Sequence, residues 1–142
     1  MSKAYISAAL RRLVYDRANH ACEYCLIPEI AVFRYHEIDH VIAEKHGGKT
    51  DESNLALACM ICNKSKGSDI ASIDPISGEI VRLYQPHRDH WCEHFLLDDG
   101  EIIPLTAIAR ATIRLLQINR SERIEERKLL SQANVLIVPD DF

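Results

Sequence analysis

The chain has 142 residues, 47% of them apolar, and a net charge of −4. That length suits one domain around one core, no apolar run is long enough for a membrane-spanning helix, and the acidity excludes a uniformly basic nucleic-acid binder. The imbalance sits in the second half: residues 1–70 carry nine Lys and Arg against nine Asp and Glu, and residues 71–142 carry eight against twelve. A phosphate-binding surface must therefore be a local patch. The first residues lack the long apolar stretch of a secretion signal, so a cytoplasmic protein is expected.

Ser7 to Ala18 predicts an amphipathic helix, with Ala9, Leu10, Leu13 and Val14 at helical spacing and Arg11, Arg12 and Asp16 on the wetter side. It runs into Cys22-Glu23-Tyr24-Cys25. A second Cys-x-x-Cys turn, Cys59 to Cys62, follows after 33 intervening residues. Each turn presents two thiolates to one ion from one side, and two turns complete a closed tetrahedral four-cysteine site of the structural zinc kind. A redox pair and plain buried cysteines are the other readings, and the presence of two pairs argues against both. In a reducing compartment the pattern favours metal over disulfides. Cys92 is left over and reads as a small buried residue.

Arg34 to Ile42 reads as a strand. A polar loop with Gly47-Gly48 follows, then a short strand Leu55–Ala58 and a helix Met60–Lys66 stopped by Gly67. Asp39 offers an anionic oxygen and Asn63 a neutral carbonyl oxygen, enough protein ligands for a hard divalent cation that keeps waters and takes substrate phosphate. His40 can accept a proton from a water near a scissile phosphorus. Asn54 is placed to hydrogen-bond that imidazole or its backbone. Lys66, one helical turn after Asn63, can meet a phosphate oxygen, and Lys45, Lys49 and Lys64 add positive charge nearby. Neighbouring side chains on a flat strand point to opposite faces. For Asp39 and His40 to serve one ion, the strand must twist, bulge or end there.

The rest of the chain predicts a turn at Asp74–Gly78, a strand Ile80–Tyr84, and a hairpin of Phe95–Leu97 and Ile102–Ile103 around Asp99-Gly100. A helix from Pro104 or Leu105 to Asn119 would bury Leu105, Ile108, Ala109, Thr112, Leu115 and Leu116. Ser121 would cap a last helix through Gln132, and Val135–Val138 would close as a strand. His87, His90 and His94 lack a well-placed further ligand for a second metal. Arg110, Arg114, Arg120, Arg123 and Arg127 read either as phosphate contacts or as a solvated helix face.

The segments Cys-Glu-Tyr-Cys, Glu-Ile-Asp-His-Val-Ile, Gly-Gly, Asn-Leu and Cys-x-x-Cys-Asn-x-x-Lys-Gly stand in the order and spacing of the HNH endonuclease family, which the chain resembles over about residues 20–70. The resemblance implies a ββα-metal fold with His40 as general base, Asn54 as the middle asparagine, and Asp39 and Asn63 as ligands of the divalent cation. The third position is asparagine where the name-giving pattern has histidine, an H-N-N variant that favours Mg2+ or Mn2+ over softer ions. Ala43-Glu44 stands where many members have a proline, a loop change. Residues 74–119 are more weakly similar to the C-terminal extension of small bacterial HNH proteins.

The expected architecture is α+β: a ββα-metal core at about 20–70 with a four-cysteine zinc site, an N-terminal helix, and a hairpin-plus-helices extension over 71–142, all in one domain. The expected function is metal-dependent hydrolysis of DNA phosphodiesters, and the resemblance implies a 5′-phosphate and a 3′-hydroxyl as product ends. RNA as the target, and a non-catalytic zinc-stabilised module that binds nucleic acid or protein, are the alternatives.

Overall fold

A computed structural model describes residues 5–139. It shows an α+β arrangement of five helices and three two-stranded antiparallel sheets. Helix α1 (Ala8–Arg17) begins where Ser7 accepts a hydrogen bond from the Leu10 amide at 3.1 Å. Its inner stripe is Leu10, Val14 and Ala18, packed on Leu55 and Leu57. Leu13, expected inside, is 39% exposed. The Arg17 guanidinium donates to the carbonyls of Glu52 and Leu55, both at 2.6 Å, and so pins α1 to the entrance of the second strand.

Strands β1 (Glu37–His40) and β2 (Leu55–Ala58) pair in unbroken register, Asp39 opposite Ala56 and His40 opposite Leu55. Helix α2 (Met60–Lys66) follows after Cys59, whose sulfur takes the capping position and accepts from the Cys62 amide. A small residue with a side-chain acceptor thus serves as the cap. β1, β2 and α2 form the ββα unit, and β1 is shorter than the Arg34–Ile42 strand expected because residues 32–34 are bends and pairing starts only at Glu37.

The second sheet, β3 (Ala71–Ile73) with β4 (Ile80–Arg82), turns at the Asp74 motif. β3 is only three residues long, too short for its Ala-Ser-Ile alternation to mark a strand. The buried Asp74 carboxylate accepts from the Ser77 hydroxyl at 2.8 Å and receives a two-pronged contact from Arg110 at 2.8 Å on each oxygen. Arg110 therefore ties the hairpin to α4, and it holds the Asp74 carboxyl well below the ordinary carboxylate range. A depressed folded pKa means stabilisation that is complete above the unfolded value of about 3.9 and lost as pH falls through the folded one. Asp74→Asn is expected to lower the melting temperature at neutral pH, with the gap to wild type closing in strong acid. A gap of equal size at every pH would remove Arg110–Asp74 as its cause.

Helix α3 (Trp91–His94), one turn long, leads into β5 (Phe95–Asp98), which pairs with β6 (Glu101–Pro104) across the Asp99-Gly100 turn. Both turn residues have positive φ, 49° and 88°, the two-residue turn that matches strand twist. Helix α4 (Ala107–Leu115) is capped by Thr106, so it starts later than expected and leaves Leu105 52% exposed. Its end precedes Gln117, which has φ 54°, so the helix does not reach Asn119.

Helix α5 (Ser121–Gln132) has the expected length, but Ser121 is its first residue and bonds Glu122 instead of capping. Residues 135–138 form no strand. The main core joins the two halves of the chain: Tyr24, Ile27 and the four cysteines pack with Tyr84, Trp91, Phe95, Ile102 and Leu116. The Trp91 indole N–H donates to the Tyr24 carbonyl at 3.2 Å.

Candidate functional site

Cys22, Cys25, Cys59 and Cys62 are all buried, and their sulfurs lie within 4.8 Å of one another. They are the one group of three or more His, Cys, Asp or Glu ligand atoms so gathered among the described residues. Four convergent thiols with no fifth position suit a closed structural zinc site. The guanidinium of Arg123, 2% exposed, reaches Cys62 Sγ at 3.1 Å and Cys59 Sγ at 3.4 Å. Burial works against its charge, and the sulfurs of Cys25, Cys62 and Cys59 outweigh that, leaving Arg123 more firmly protonated than an ordinary arginine.

This corrects the expectation for the C-terminal arginines. Arg123 faces the thiolates, and Arg127 is fully buried, donating to the carbonyls of Gly100 and Ile118 at 2.7 and 2.8 Å. Arg110 is spent on Asp74. These three are structural cations, neither phosphate contacts nor a solvated face. His87 pairs with Glu23, and His94 Nδ1 meets the Thr106 hydroxyl at 2.7 Å.

The second cluster joins the end of β1, the end of α2 and the first Cys-x-x-Cys turn. Asp39, 6% exposed, accepts from the Tyr24 hydroxyl at 3.0 Å on Oδ2 and meets Lys66 Nζ at 3.1 Å on the same oxygen. Its Oδ1 has a longer contact with Lys66, 3.4 Å. Burial pushes the Asp39 carboxyl up, while the Lys66 ammonium and the Tyr24 hydroxyl pull it down without fully offsetting the burial. Burial and the adjacent Asp39 push the Tyr24 phenol well up, so it remains a donor. Lys66 is itself only 2% exposed and also reaches the His40 carbonyl at 3.4 Å. The structure thus sets Lys66 beneath Asp39, away from the surface where a phosphate would lie.

His40 is the last residue of β1, and the register runs to it without a bulge. Of the irregularities expected at Asp39-His40, the strand end is the one present. Its Nε2 lies 2.8 Å from the Thr50 hydroxyl. Asn54 does not touch the ring. Its amide accepts from the Ile42 amide at 2.9 Å and donates to the carbonyls of Ile42 and Lys49 at 2.9 and 2.8 Å. It clamps both ends of the loop that carries Thr50, and so acts on the backbone that follows His40.

Gly48 lies inside this clamp. A Cβ there would fall 1.7 Å from the Ile42 carbonyl oxygen and 2.9 Å from Asn54 Nδ2. Gly48→Ala is expected to cost about 1–3 kcal/mol, as overpacking does, and to free Thr50 from His40. Denaturant melts check the first effect. An unchanged midpoint would show that the loop is looser than this clamp implies.

Asn63 is half-buried on α2, and Lys45, Lys49 and Lys64 are exposed. His46 Nε2 is 3.1 Å from the Ser68 carbonyl, which folds the lysine-bearing loop toward the end of α2. Sequence reasoning missed Tyr24, Thr50 and Arg123. Tyr24 and Thr50 sit beside motif residues but carry no spacing signal of their own, and Arg123 is 61 residues from Cys62.

Residues 22–69 match the family model described as HNH endonuclease. That segment begins at the first of the four clustered cysteines and ends just beyond α2, so the match takes in the whole ββα unit. No curated protein and no solved structure matches the chain. No helix among the described residues is long and apolar enough to cross a membrane.

Proposed function

We propose that the chain is a metal-dependent endonuclease that hydrolyses DNA phosphodiesters, with core and extension acting as one domain in the cytoplasm. The observation that carries the reading is the placement of His40 at the end of β1 with its ring held by Thr50, inside the segment that matches the HNH model. With Nε2–H donating to Thr50, the lone pair sits on Nδ1, which takes the proton of the attacking water as the oxygen closes on phosphorus. The P–O bond on the far side then breaks. A base so positioned contributes about 10²–10⁴ in rate.

The donor chemistry of Asp39 and Asn63, two hard oxygens on neighbouring elements, fits Mg2+ or Mn2+. Such a cation, when bound, stabilises charge on the phosphate and the leaving oxygen. Tyr24 and Lys66 orient the Asp39 carboxylate from below, so Lys66 contributes through Asp39. Lys45, Lys49 and Lys64 offset the charge of flanking phosphates. Asn54 holds the loop that holds Thr50. Thr50→Val removes one hydrogen bond, worth about 0.5–1.5 kcal/mol, and is expected to slow cleavage about 2- to 12-fold. A rate equal to wild type would detach Thr50 from the base.

The test is nicking of supercoiled plasmid by zinc-loaded protein with Mg2+ or Mn2+, beside a matched RNA. Relaxation of plasmid, abolished in His40→Ala, is the expected result. No cleavage with either metal on either substrate would move the chain to the binding-module alternative, which the ammonium of Lys66 on Asp39 favours.

A further inference from the structure

Between Pro28 and β1 the chain makes a short loop that is held at its base and bare at its tip. Glu29 Oε2 accepts from the His36 amide at 2.7 Å and lies 3.0 Å from the Tyr15 hydroxyl, which is also 2.9 Å from the His36 carbonyl. The Glu29 amide donates to the His20 carbonyl, closing the other side. At the tip, Phe33 is 109% exposed and Tyr35 84%, with Arg34 between them. Only 6% of the chain is aromatic, so two uncovered rings on a pinned loop are a costly use of that residue type. A groove of about 680 Å³ runs between the loop and Asn19-His20, with Phe33, Arg34 and Tyr35 on its wall.

We propose that this loop binds unpaired nucleotides of the substrate, with Phe33 and Tyr35 stacking on bases and Arg34 meeting the backbone. The inference rests on the nuclease reading for its placement and deepens it to a preference for single-stranded or locally opened DNA. Three observations favour nucleic acid as the occupant. Cations flank the rings: Arg34 is on the loop and Arg11 lies within electrostatic reach of Tyr15 beside Tyr35, whereas Glu29 is spent inward and the exposed acid next in sequence, Glu37, belongs to the start of β1. The loop runs directly into β1, so Tyr35 and His40 stand five residues apart along the chain, at most about 17 Å, within the reach of a few nucleotides. An acidic protein with a small lysine patch also needs binding energy that does not come from phosphate charge, and base stacking supplies it whatever the sequence.

The experiment measures binding of the zinc-loaded full chain to a labelled oligothymidine and to a duplex of equal length, without added divalent cation, over a range of salt. Wild type should prefer the single strand. Phe33→Ala/Tyr35→Ala should weaken that binding about tenfold or more with an unchanged salt slope, and Phe33→Trp/Tyr35→Phe should restore it. Arg34→Ala should instead flatten the slope. Equal single-strand affinity for wild type and the double alanine variant would overturn the proposal, as would no binding or no single-strand preference by wild type. A double alanine variant that changes only the sedimentation state would also overturn it and assign the patch to protein contact. The plasmid assay separates the two readings. Cleavage that persists without aromatic-dependent binding sinks the loop alone, and aromatic-dependent binding without cleavage sinks the nuclease alone.

Discussion

Stripping zinc with a strong chelator, or replacing Cys59 and Cys62 with serine, is expected to unfold the protein. Structural zinc contributes about 10–16 kcal/mol of apparent binding free energy in small domains, and whole domains are stable by about 5–15 kcal/mol. The four cysteines are not peripheral here. They sit in the main core with Trp91, Phe95 and Leu116, so loss of the ion opens the contact between the first and second halves of the chain. Trp91 is the reporter, since its indole bonds to the knuckle at Tyr24. Its emission should shift to the red as zinc leaves, together with loss of the cooperative melt. Arg123→Ala probes the same frame from the other side. It leaves sulfur charge uncompensated in the interior, a change that costs about 3–5 kcal/mol in buried pairs. Survival of a cooperative melt in the chelated protein would show that the extension holds the fold without the metal.

His40→Ala is expected to slow plasmid nicking by about 10²–10⁴ while zinc content and melting temperature stay at wild-type values. The ring is half-buried at a strand end and, among the described residues, its hydrogen bond is to the Thr50 hydroxyl through Nε2, so its removal empties little core. Asp39 offers a less clean test. It is 6% exposed and pairs with a buried lysine, so Asp39→Ala strands the Lys66 ammonium and destabilises the protein along with any cation site. Asn63→Ala, on the half-buried side of α2, separates the two effects: the fold should persist while the concentration of Mg2+ needed for cleavage rises. An unchanged Mg2+ requirement would remove Asn63 from the ligand set.

The ββα unit was legible because its signals are local. Leu55–Ala58 and Met60–Lys66 have the bounds that the apolar run and Gly67 indicate, and the paired Cys-x-x-Cys turns point to each other whatever lies between them. The limits of β1 were not legible. Phe33, Arg34 and Tyr35 have strand-like composition, yet Glu29 and Tyr15 tie His36 inward and residues 32–34 bend, a tertiary contact that overrides propensity. The arginines of α5 misled for a related reason. Their spacing describes a charged face, and only packing reveals that the face meets thiolates and carbonyl groups.

The candidate site divides in the same way. Asp39, His40, Asn54 and Asn63 stand out by order and spacing, whereas what each does depends on partners outside the motif. Asn54 spends its amide on the backbone of Ile42 and Lys49, and Thr50 receives the imidazole. Lys66, one turn from Asn63, turns inward to Asp39 because the short α2 lies against β1.

Rescue of His40→Ala by added imidazole tests the central claim most directly, because it isolates proton transfer from folding and from binding. The account predicts a zinc-loaded, folded variant that leaves supercoiled plasmid intact with Mg2+ or Mn2+ alone, and nicks it when imidazole is supplied, faster as pH rises through the imidazole pKa. A variant that nicks as fast as wild type without imidazole would contradict it.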